Sequence, residues 1–248
     1  MWEWLPSLPL RGAHSAAGCA QRDMKIVSLL PSATEILYAL GLGDALEAVT
    51  AQCNHPPDAA TKPIVSTTAL PAGKRLDPRE IDEEVRARIA RGEPTARLDA
   101  ARISEIRPDL IVTQDLCRVC AVPTGDVQDA LDLLGCHAEV VSLDPGTLDE
   151  VIASIGILGD ATGTAGRARE LMEQLRARLA GVRDVVAGQG RPRTLALEWS
   201  DPPFSGGHWV PDMIEAAGGE ALLATAGARS RQLAWEEIAR EGPDVVIF

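Results

Sequence analysis

The chain has 248 residues, 46% of them hydrophobic, which is enough for one large domain or two small lobes with a proper core. Its formal net charge of -12 excludes a nucleic-acid surface, because such a surface needs clustered Lys and Arg. No apolar run approaches the roughly 20 residues that a membrane-spanning helix needs, and five cysteines are an odd number for a complete disulfide framework.

Residues 1–23 differ in character from the rest of the chain and are expected to form a tail. They lack a basic beginning, and Pro6 and Pro9 interrupt their short apolar stretch, so they do not have the pattern of a secretory signal. Met24 directly precedes the first strand-like run and is a candidate for the natural start. Without an export signal, the sequence predicts a cytoplasmic protein with reduced thiols.

Residues 24–146 alternate between predicted strands and predicted helices. The strands are predicted at 25–30, 45–50, 108–113 and 138–142. The later helices are predicted at 76–91, 98–106 and 124–134. The first helix ends at Gly41 and is expected to have Ser32 as its N-cap, with Glu35 completing a capping box. This alternation predicts an α/β lobe with a mostly parallel sheet.

Residues 147–190 are predicted to form a linking helical segment. From about Thr147 to Val186 the chain shows a helical apolar pattern and no strand, with Gly159 and Gly163 as candidate interruptions. A helical stretch of roughly 35 residues is long against a mean helix of about 11 or 12 residues. We expect this segment to connect two lobes.

Residues 191–248 begin the first pattern again. A strand is predicted at 194–199 and a helix at 211–217. The segment 235–248 then repeats the order of 103–112, which is a short helix, Pro-Asp and a buried β-branched strand. The sequence therefore predicts an α/β fold of two similar lobes with mostly parallel sheets, joined by a long helix. Because the chain stops at Phe248 inside a predicted central strand, the second lobe is expected to be incomplete.

Six pieces of sequence, spread over both lobes, carry a resemblance to a known family. They are Val27–Glu35, Pro56-Pro57, Arg107–Val112, Asp201–Phe204, Ala217–Glu220 and Glu236–Ile247. In these pieces, and in their order from residue 25 to the end, the chain resembles the helical-backbone substrate-binding proteins of ABC importers. Within that family it is most similar to the cobalamin-binding branch.

The resemblance implies a non-catalytic, monomeric protein that binds a cobalamin-like corrinoid in a cleft between the lobes, at the carboxyl ends of the strands. It also implies small hinge motions and a periplasmic or cell-surface location. In the family an acidic residue on each lobe docks onto arginines of the ABC permease. Glu236 matches this position in the second lobe, whereas the first lobe has Ala101 there, with Asp99 nearby.

Polar side chains that follow the strands of the first lobe are candidate ligand contacts. Ser32 and Thr34 follow the first strand, where helix N–H groups can accept a polar or anionic group, although a simple helix cap explains them equally. Gln114 and Asp115 follow the strand at 108–113.

Cysteines and a histidine near the same strand ends give candidate thiol and metal chemistry. Cys53 and His55 are two residues apart and are a candidate metal pair, or simply loop structure. Cys117 and Cys120 have C-x-x-C spacing, which allows a zinc site completed by Cys53 and His55, a thioredoxin-type centre, a thiol or disulfide pair at the cleft lip, or direct contact with a soft metal such as cobalt. We expect the pair to line the lip of the pocket.

The aromatic residues are few, and half of them fall between 199 and 235. Flat rings suit a large planar ligand, so Trp199, Phe204, Trp209 and Trp235 are candidate ligand contacts. His208 is a candidate axial ligand to a bound metal centre, or a surface loop residue. The neighbouring Gly206-Gly207 pair is expected to permit close approach of the backbone.

Two alternatives to corrinoid binding stay open at this stage. The first is a binder of another metal chelate, such as haem or a ferric siderophore. A siderophore site usually offers Arg or Tyr, and the single Tyr38 lies inside a predicted helix. The second is an intracellular metal or thiol protein that uses Cys117 and Cys120. No set of nucleophile, base and orienting residue is recognisable, so neither an enzyme nor a catalytic cofactor is expected.

Overall fold

The computed structural model describes residues 24–71, 76–115, 122–134 and 137–248. The elements of the first lobe are β1 Ile26–Ser28, α1 Pro31–Ala39, β2 Leu46–Thr50, β3 Ile64–Thr68, α2 Pro78–Arg91, β4 Ala96–Leu98, α3 Ala100–Ile106, β5 Leu110–Thr113, α4 Thr124–Leu134 and β6 Glu139–Ser142. The sheet has the order β4-β3-β2-β1-β5-β6, and β4 is its antiparallel edge strand. The predicted α/β lobe with a mostly parallel sheet is therefore confirmed.

Both faces of the central strands are buried, which explains why these strands are continuous apolar runs. Ile26 and Leu110 pack on one face in a cluster that includes Leu37 of α1. Val27 and Ile111 pack on the other face together with residues of α3 and α4. Helices therefore cover the sheet on both sides.

The capping box predicted at Ser32 and Glu35 is wrong. Helix α1 begins at Pro31, its N-cap is Leu30 in an extended conformation, and no side chain caps it. Proline suits the first helical turn because it lacks the N–H that would otherwise need a partner. Ser32 is consequently inside the first turn, where its side chain is exposed.

Two strands of the first lobe, β3 and β4, are not predicted by the sequence. Strand β3 has exposed residues at both ends and carries Ser and Thr, so it lacks a continuous apolar run. Strand β4 contains Leu98, which the sequence analysis places in a helix. Helix α3 starts two residues later because Asp99 caps it and accepts a hydrogen bond from the Arg102 N–H at 3.0 Å.

The linking segment consists of two helices, α5 Leu148–Ala161 and α6 Ala165–Val186. Gly163, at φ +69°, interrupts the helical pattern, whereas Gly159 stays inside α5. A glycine is needed at 159 because α5 and α6 pack closely there. A Cβ on Gly159 would lie 2.4 Å from the Ala168 methyl of α6. Among the residues that the structure describes, no helix, α6 included, is both long and apolar enough to cross a membrane.

The second lobe repeats the strand–helix alternation on a smaller scale. Its elements are β7 Arg193–Ser200, β8 Pro203–Ser205, α7 Val210–Ala216, β9 Glu220–Ala221, α8 Trp235–Glu241 and β10 Val245–Ile247. Strand β7 lies between β10 and β8, and it also pairs with β9. The lobe boundaries near residues 146 and 190 stay predictions.

The predicted internal repeat is confirmed by matching hydrogen bonds around the two Pro-Asp pairs. In the first lobe, the Asp109 carboxylate accepts the Lys25 backbone N–H at 2.9 Å, and the Asp109 N–H donates to the Lys25 carbonyl at 2.8 Å. In the second lobe, Asp244 and Arg193 make the same two bonds, both at 2.8 Å. The aspartate thus ties the start of one strand to its parallel neighbour in each lobe.

The helices before the two Pro-Asp pairs also end alike. The C-cap of α3 is Arg107 (φ +51°) and that of α8 is Gly242 (φ +57°), both in the left-handed conformation. The Lys25 ammonium donates to the carbonyl of Ile106, and Arg193 donates to the carbonyl of Glu241. The helix end and the strand that follows it therefore have the same structure in both lobes.

We predict that Leu158→Ala destabilises the protein by about 2 to 5 kcal/mol, because it opens a cavity where α5 packs on the first lobe. Leu158 is fully buried in the cluster that contains Ile26 and Leu37. The matched control is Ile157→Ala, whose side chain is 48% exposed and whose loss is expected to cost about 0.5 kcal/mol or less. Urea unfolding measures both, and equal losses would contradict this account of α5.

Candidate functional site

The parallel strands of the first lobe end at one edge of the sheet, and the segments after them form one wall of a candidate cleft. The opposite wall starts at the end of β7 and continues through β8 to α7. Helix α2, which follows β3, reaches across and contacts this second wall. The residues at the contact include two of the predicted aromatic ligand contacts.

Trp199 lies at the end of β7, where the two lobes meet. Its indole N–H is shared between the carbonyls of Pro78 at 3.1 Å and Asp201 at 3.0 Å. The Asp201 carboxylate in turn accepts two hydrogen bonds from the Arg79 guanidinium, at 2.7 and 3.3 Å. Sequence reasoning missed Arg79 because nothing local indicates that α2 reaches the second lobe.

Phe204, on β8, lies under another arginine of α2. The guanidinium carbon of Arg86 stands 5.7 Å from the centre of the Phe204 ring, which is within cation–π range. Arg86 also donates to the side-chain carbonyl of Gln232 at 2.8 Å and to Asp82 at 2.7 Å. Arg86 of the first lobe therefore lies over one face of Phe204.

His208 combines an unusual backbone with an unsatisfied side chain. Its φ is +53°, which is uncommon for a residue other than glycine. Its backbone N–H donates to the Ala228 carbonyl at 2.6 Å, and its carbonyl accepts from Gly227 at 3.0 Å, so the backbone is held in place. No described group bonds its buried Nε2, and its ring lies 5.9 Å from that of Trp209. An orphaned buried nitrogen of this kind indicates strain or a function.

The Gly206-Gly207 pair allows another segment of this chain, at residues 229 and 230, to pack closely against its backbone. A Cβ on Gly207 would lie 2.3 Å from the Ser230 backbone nitrogen. Glu198, which sequence reasoning missed, accepts the Gly207 N–H at 2.8 Å and the Ser230 hydroxyl. This carboxylate holds the loop that carries His208 against the 228–230 segment.

Thr34 and Cys53 belong to the core under the first wall. Thr34 is fully buried and donates to the Ser28 hydroxyl at 2.8 Å, and its oxygen lies 3.0 Å from the Cys53 sulfur. Burial raises the pKa of the Cys53 thiol, although hydrogen bonds with Thr34 and Thr50 act in the opposite direction. The thiol is therefore a neutral, inert group at physiological pH.

The predicted metal pair Cys53 and His55 is split between two environments. Cys53 is buried, whereas His55 is exposed on the loop that follows. Within the described residues, no group of three or more His, Cys, Asp or Glu side chains could hold a metal ion. Cys117 and Cys120 lie outside the described residues, so their proposed chemistry, including a zinc site with this pair, stays a prediction.

Gln114 and Asp115 lie at the end of β5, as predicted, next to an acidic residue that follows β6. Gln114 is buried, whereas Asp115 is exposed and accepts the Thr124 N–H at 2.8 Å. The Asp115 N–H donates to Asp144 at 2.6 Å, and the Ser142 hydroxyl also donates to Asp144 at 2.6 Å. Ser142 and Asp144 were missed, although their place at the end of β6 is a usable signal.

Trp235 and Glu236 lie in the first turn of α8 and face outward. The Trp235 side chain is 52% exposed, and Glu236 is exposed as well. The adjacent Glu237 is paired with Arg231, whose guanidinium binds it at 2.7 and 3.2 Å. Contact of Trp235 with a ligand and docking through Glu236 both stay predictions.

A cavity of about 890 Å³ lies at the opposite edge of the first sheet, where β1 and β2 begin. Its lining includes Lys25, Asp44, Ala45 and Asp109, with Gly163 from the linking segment. Open α/β sheets bind ligands at the carboxyl ends of their strands, and this cavity is at the amino ends. We therefore place the candidate site in the cleft between the lobes.

The chain belongs to the periplasmic binding protein family, whose model matches residues 26–248. The resemblance inferred from the sequence is thereby confirmed. Among known relatives, the vitamin B12-binding protein of Yersinia pestis (strain Pestoides F) is 26% identical over 231 residues, which are 92% of this chain and 70% of the relative.

Two solved structures have the same fold. The periplasmic vitamin B12 binding protein BtuF of Vibrio cholerae matches with a TM-score of 0.64 at 23% identity, over 90% of this chain and 74% of that chain. The periplasmic haem-binding protein RhuT of Roseiflexus sp. RS-1 matches with a TM-score of 0.63 at 24% identity, over 90% and 75%. At these identities the likeness establishes the fold alone.

We predict that Cys53 is protected in the folded protein. In a variant whose other cysteines (Cys19, Cys117, Cys120 and Cys136) are serine, alkylation by iodoacetamide is expected to be at least about tenfold slower in the native state than in urea. Because folding raises the pKa of the thiol, the folded state keeps its proton where the unfolded chain loses it. The free energy of unfolding should therefore fall as pH rises above about 8.5.

The control for this prediction is an exposed cysteine nearby. Ala60→Cys in a background without other cysteines places a thiol on an exposed position. This thiol should react equally fast in native and unfolded protein. If the Cys53 thiol also reacts equally fast in both states, the buried contact with Thr34 is not maintained.

Proposed function

We propose that the protein is the substrate-binding component of an ABC importer and that it carries a cobalamin-like corrinoid between its two lobes. The observation that carries the proposal is the position of Trp199 and Phe204 at the end of β7 and on β8, where the second lobe meets the first. Flat aromatic faces at such a junction suit a large planar ring. Named relatives that bind vitamin B12 support the same ligand class.

The proposed partner is an ABC permease, with Glu236 as the docking residue of the second lobe. Glu236 is exposed in the first turn of α8, and no hydrogen bond or ion pair is found for it among the described residues. The internal repeat makes α3 the matching element in the first lobe, where Ala101 is exposed and Asp99 is used as the N-cap. A periplasmic location follows from this role and from the family.

We predict one-to-one binding of hydroxocobalamin, measured by visible absorption and calorimetry on the reduced protein. Trp199→Ala and Phe204→Ala should each weaken binding at least about tenfold, since each removes a stacking face worth roughly 1.4 kcal/mol. Val185→Ala, on the 77% exposed valine of α6, is the control and should bind normally. Normal affinity in both aromatic variants would exclude the proposed site.

A second candidate ligand is haem, and His208 is the observation that favours it. Its buried Nε2 lacks a partner among the described residues, and imidazole nitrogen is a common axial ligand of haem iron. The haem-binding neighbour RhuT shares the fold. For this ligand His208 would have to turn its ring from its present contact with Trp209 toward the cleft.

We predict that, if haem is the ligand, titration with ferric haem gives a shifted Soret band that His208→Ala abolishes. His137→Ala serves as the control, because it removes an exposed histidine at the amino end of β6 and should keep the shift. Tight haem binding with an unchanged spectrum in His208→Ala would exclude His208 as the axial ligand. Tight binding of hydroxocobalamin but not of haem would exclude haem itself.

A further inference from the structure

Helix α2 belongs to the first lobe by sequence, yet its contacts reach the second. All 14 of its residues are described, and none of them is buried. Asp77 and Glu80 form a capping box at its N-terminus, so the helix is well formed without a place in the core. A helix without a fully buried residue can change its position at a smaller cost than a helix of the core.

The contacts of α2 with the second lobe involve both aromatic residues of the proposed ligand site, Trp199 at its edge and Phe204 at one face. The Pro78 carbonyl takes the indole N–H of Trp199, and Arg86 lies over the ring of Phe204. A planar ligand that stacks on the covered face of Phe204 must displace Arg86, and with it the helix that also holds the edge of Trp199. The ligand and α2 therefore compete for Phe204, and the N–H of Trp199 reports whether the helix is in place.

The hydrogen bonds and the ion pair that α2 makes with the second lobe are open to water. The Arg79 and Asp201 side chains are 64% and 48% exposed, and that of Arg86 is 54% exposed. Exposed ion pairs are weak and are screened by salt. Such contacts can hold the lobes together and still release quickly.

On the side of the lobe junction formed by α5, α6 and α7, the two lobes are closely packed. Asp212 of α7 accepts the Leu148 N–H of α5 at 2.9 Å. Gly218, at the end of α7, is so close to α6 that a Cβ there would lie 2.8 Å from Val186. The lobes can therefore part on the α2 side, with α5 and α6 as the fixed axis.

We propose that α2 is a latch, which closes the cleft of the ligand-free protein by occupying Trp199 and Phe204 and releases both rings when the ligand enters. Gly92, in the left-handed conformation at the end of α2, is the pivot. A Cβ at Gly92 would have no atom within 4 Å, so the chain has room to turn there. This inference rests on the proposed function for the identity of the ligand.

The latch can be observed directly in the ligand-free protein by ¹⁹F NMR after labelling with 5-fluorotryptophan. The Trp199 resonance is assigned as the one lost in Trp199→Phe. The double variant Arg79→Ala/Arg86→Ala should shift this resonance, and added salt should shift it in the same direction in the wild type. Arg91→Ala, which removes an arginine of α2 that pairs with Glu93, is the control and should leave it unchanged.

The second measurement is the association rate with hydroxocobalamin or haem by stopped-flow absorption. Because the latched state cannot bind, the double variant should associate at least about threefold faster than the wild type. Equal or slower association, or an unmoved Trp199 resonance, overturns the latch. If neither ligand binds any form of the protein, the proposed function fails, and the Trp199 resonance in the double variant still decides whether α2 is latched.

Discussion

The contact between α5 and α6 is the constraint on which the placing of the two lobes depends. Ala168 packs against Gly159 so closely that any larger residue at 159 would push the helices apart. Leu158 anchors α5 in the core of the first lobe, and Val186 of α6 packs against Gly218 of the second. The helix pair thus transmits one lobe's position to the other, and the wall formed by β7 and β8 faces α2 as a result.

Electrostatics then shape the side of the junction that packing leaves open. The chain has 36 acidic and 24 basic residues, and each arginine that α2 sends to the second lobe has an acidic partner. Arg79 binds Asp201 across the junction, and Arg86 binds Asp82 within its own helix while lying over Phe204. Neutralised pairs of this kind join two acidic lobes without burying a charge, which keeps the desolvation cost low.

Local patterns explain which predictions succeeded. The Pro-Asp motif followed by a β-branched strand predicts the same local structure in both lobes. Asp109 and Asp244 each accept a hydrogen bond from the backbone of a neighbouring strand. The predicted capping box failed because Pro31 takes the first helical turn and shifts the N-cap to Leu30. Strand β4 was missed because its three residues are too few to show a period, although Ala96 and Leu98 pack against the core.

By itself the sequence determined the α/β alternation, the helical link, the internal repeat and the family, because each depends on residues close together in the chain. The tertiary structure alone decided what the candidate side chains touch. Trp199 meets Pro78, which lies 121 positions earlier, and the Thr34 hydroxyl lies beside the Cys53 thiol in the core. Such contacts produce no periodic pattern in the sequence. They depend on how the helices and strands pack against each other, and not on the local residues that form each helix or strand.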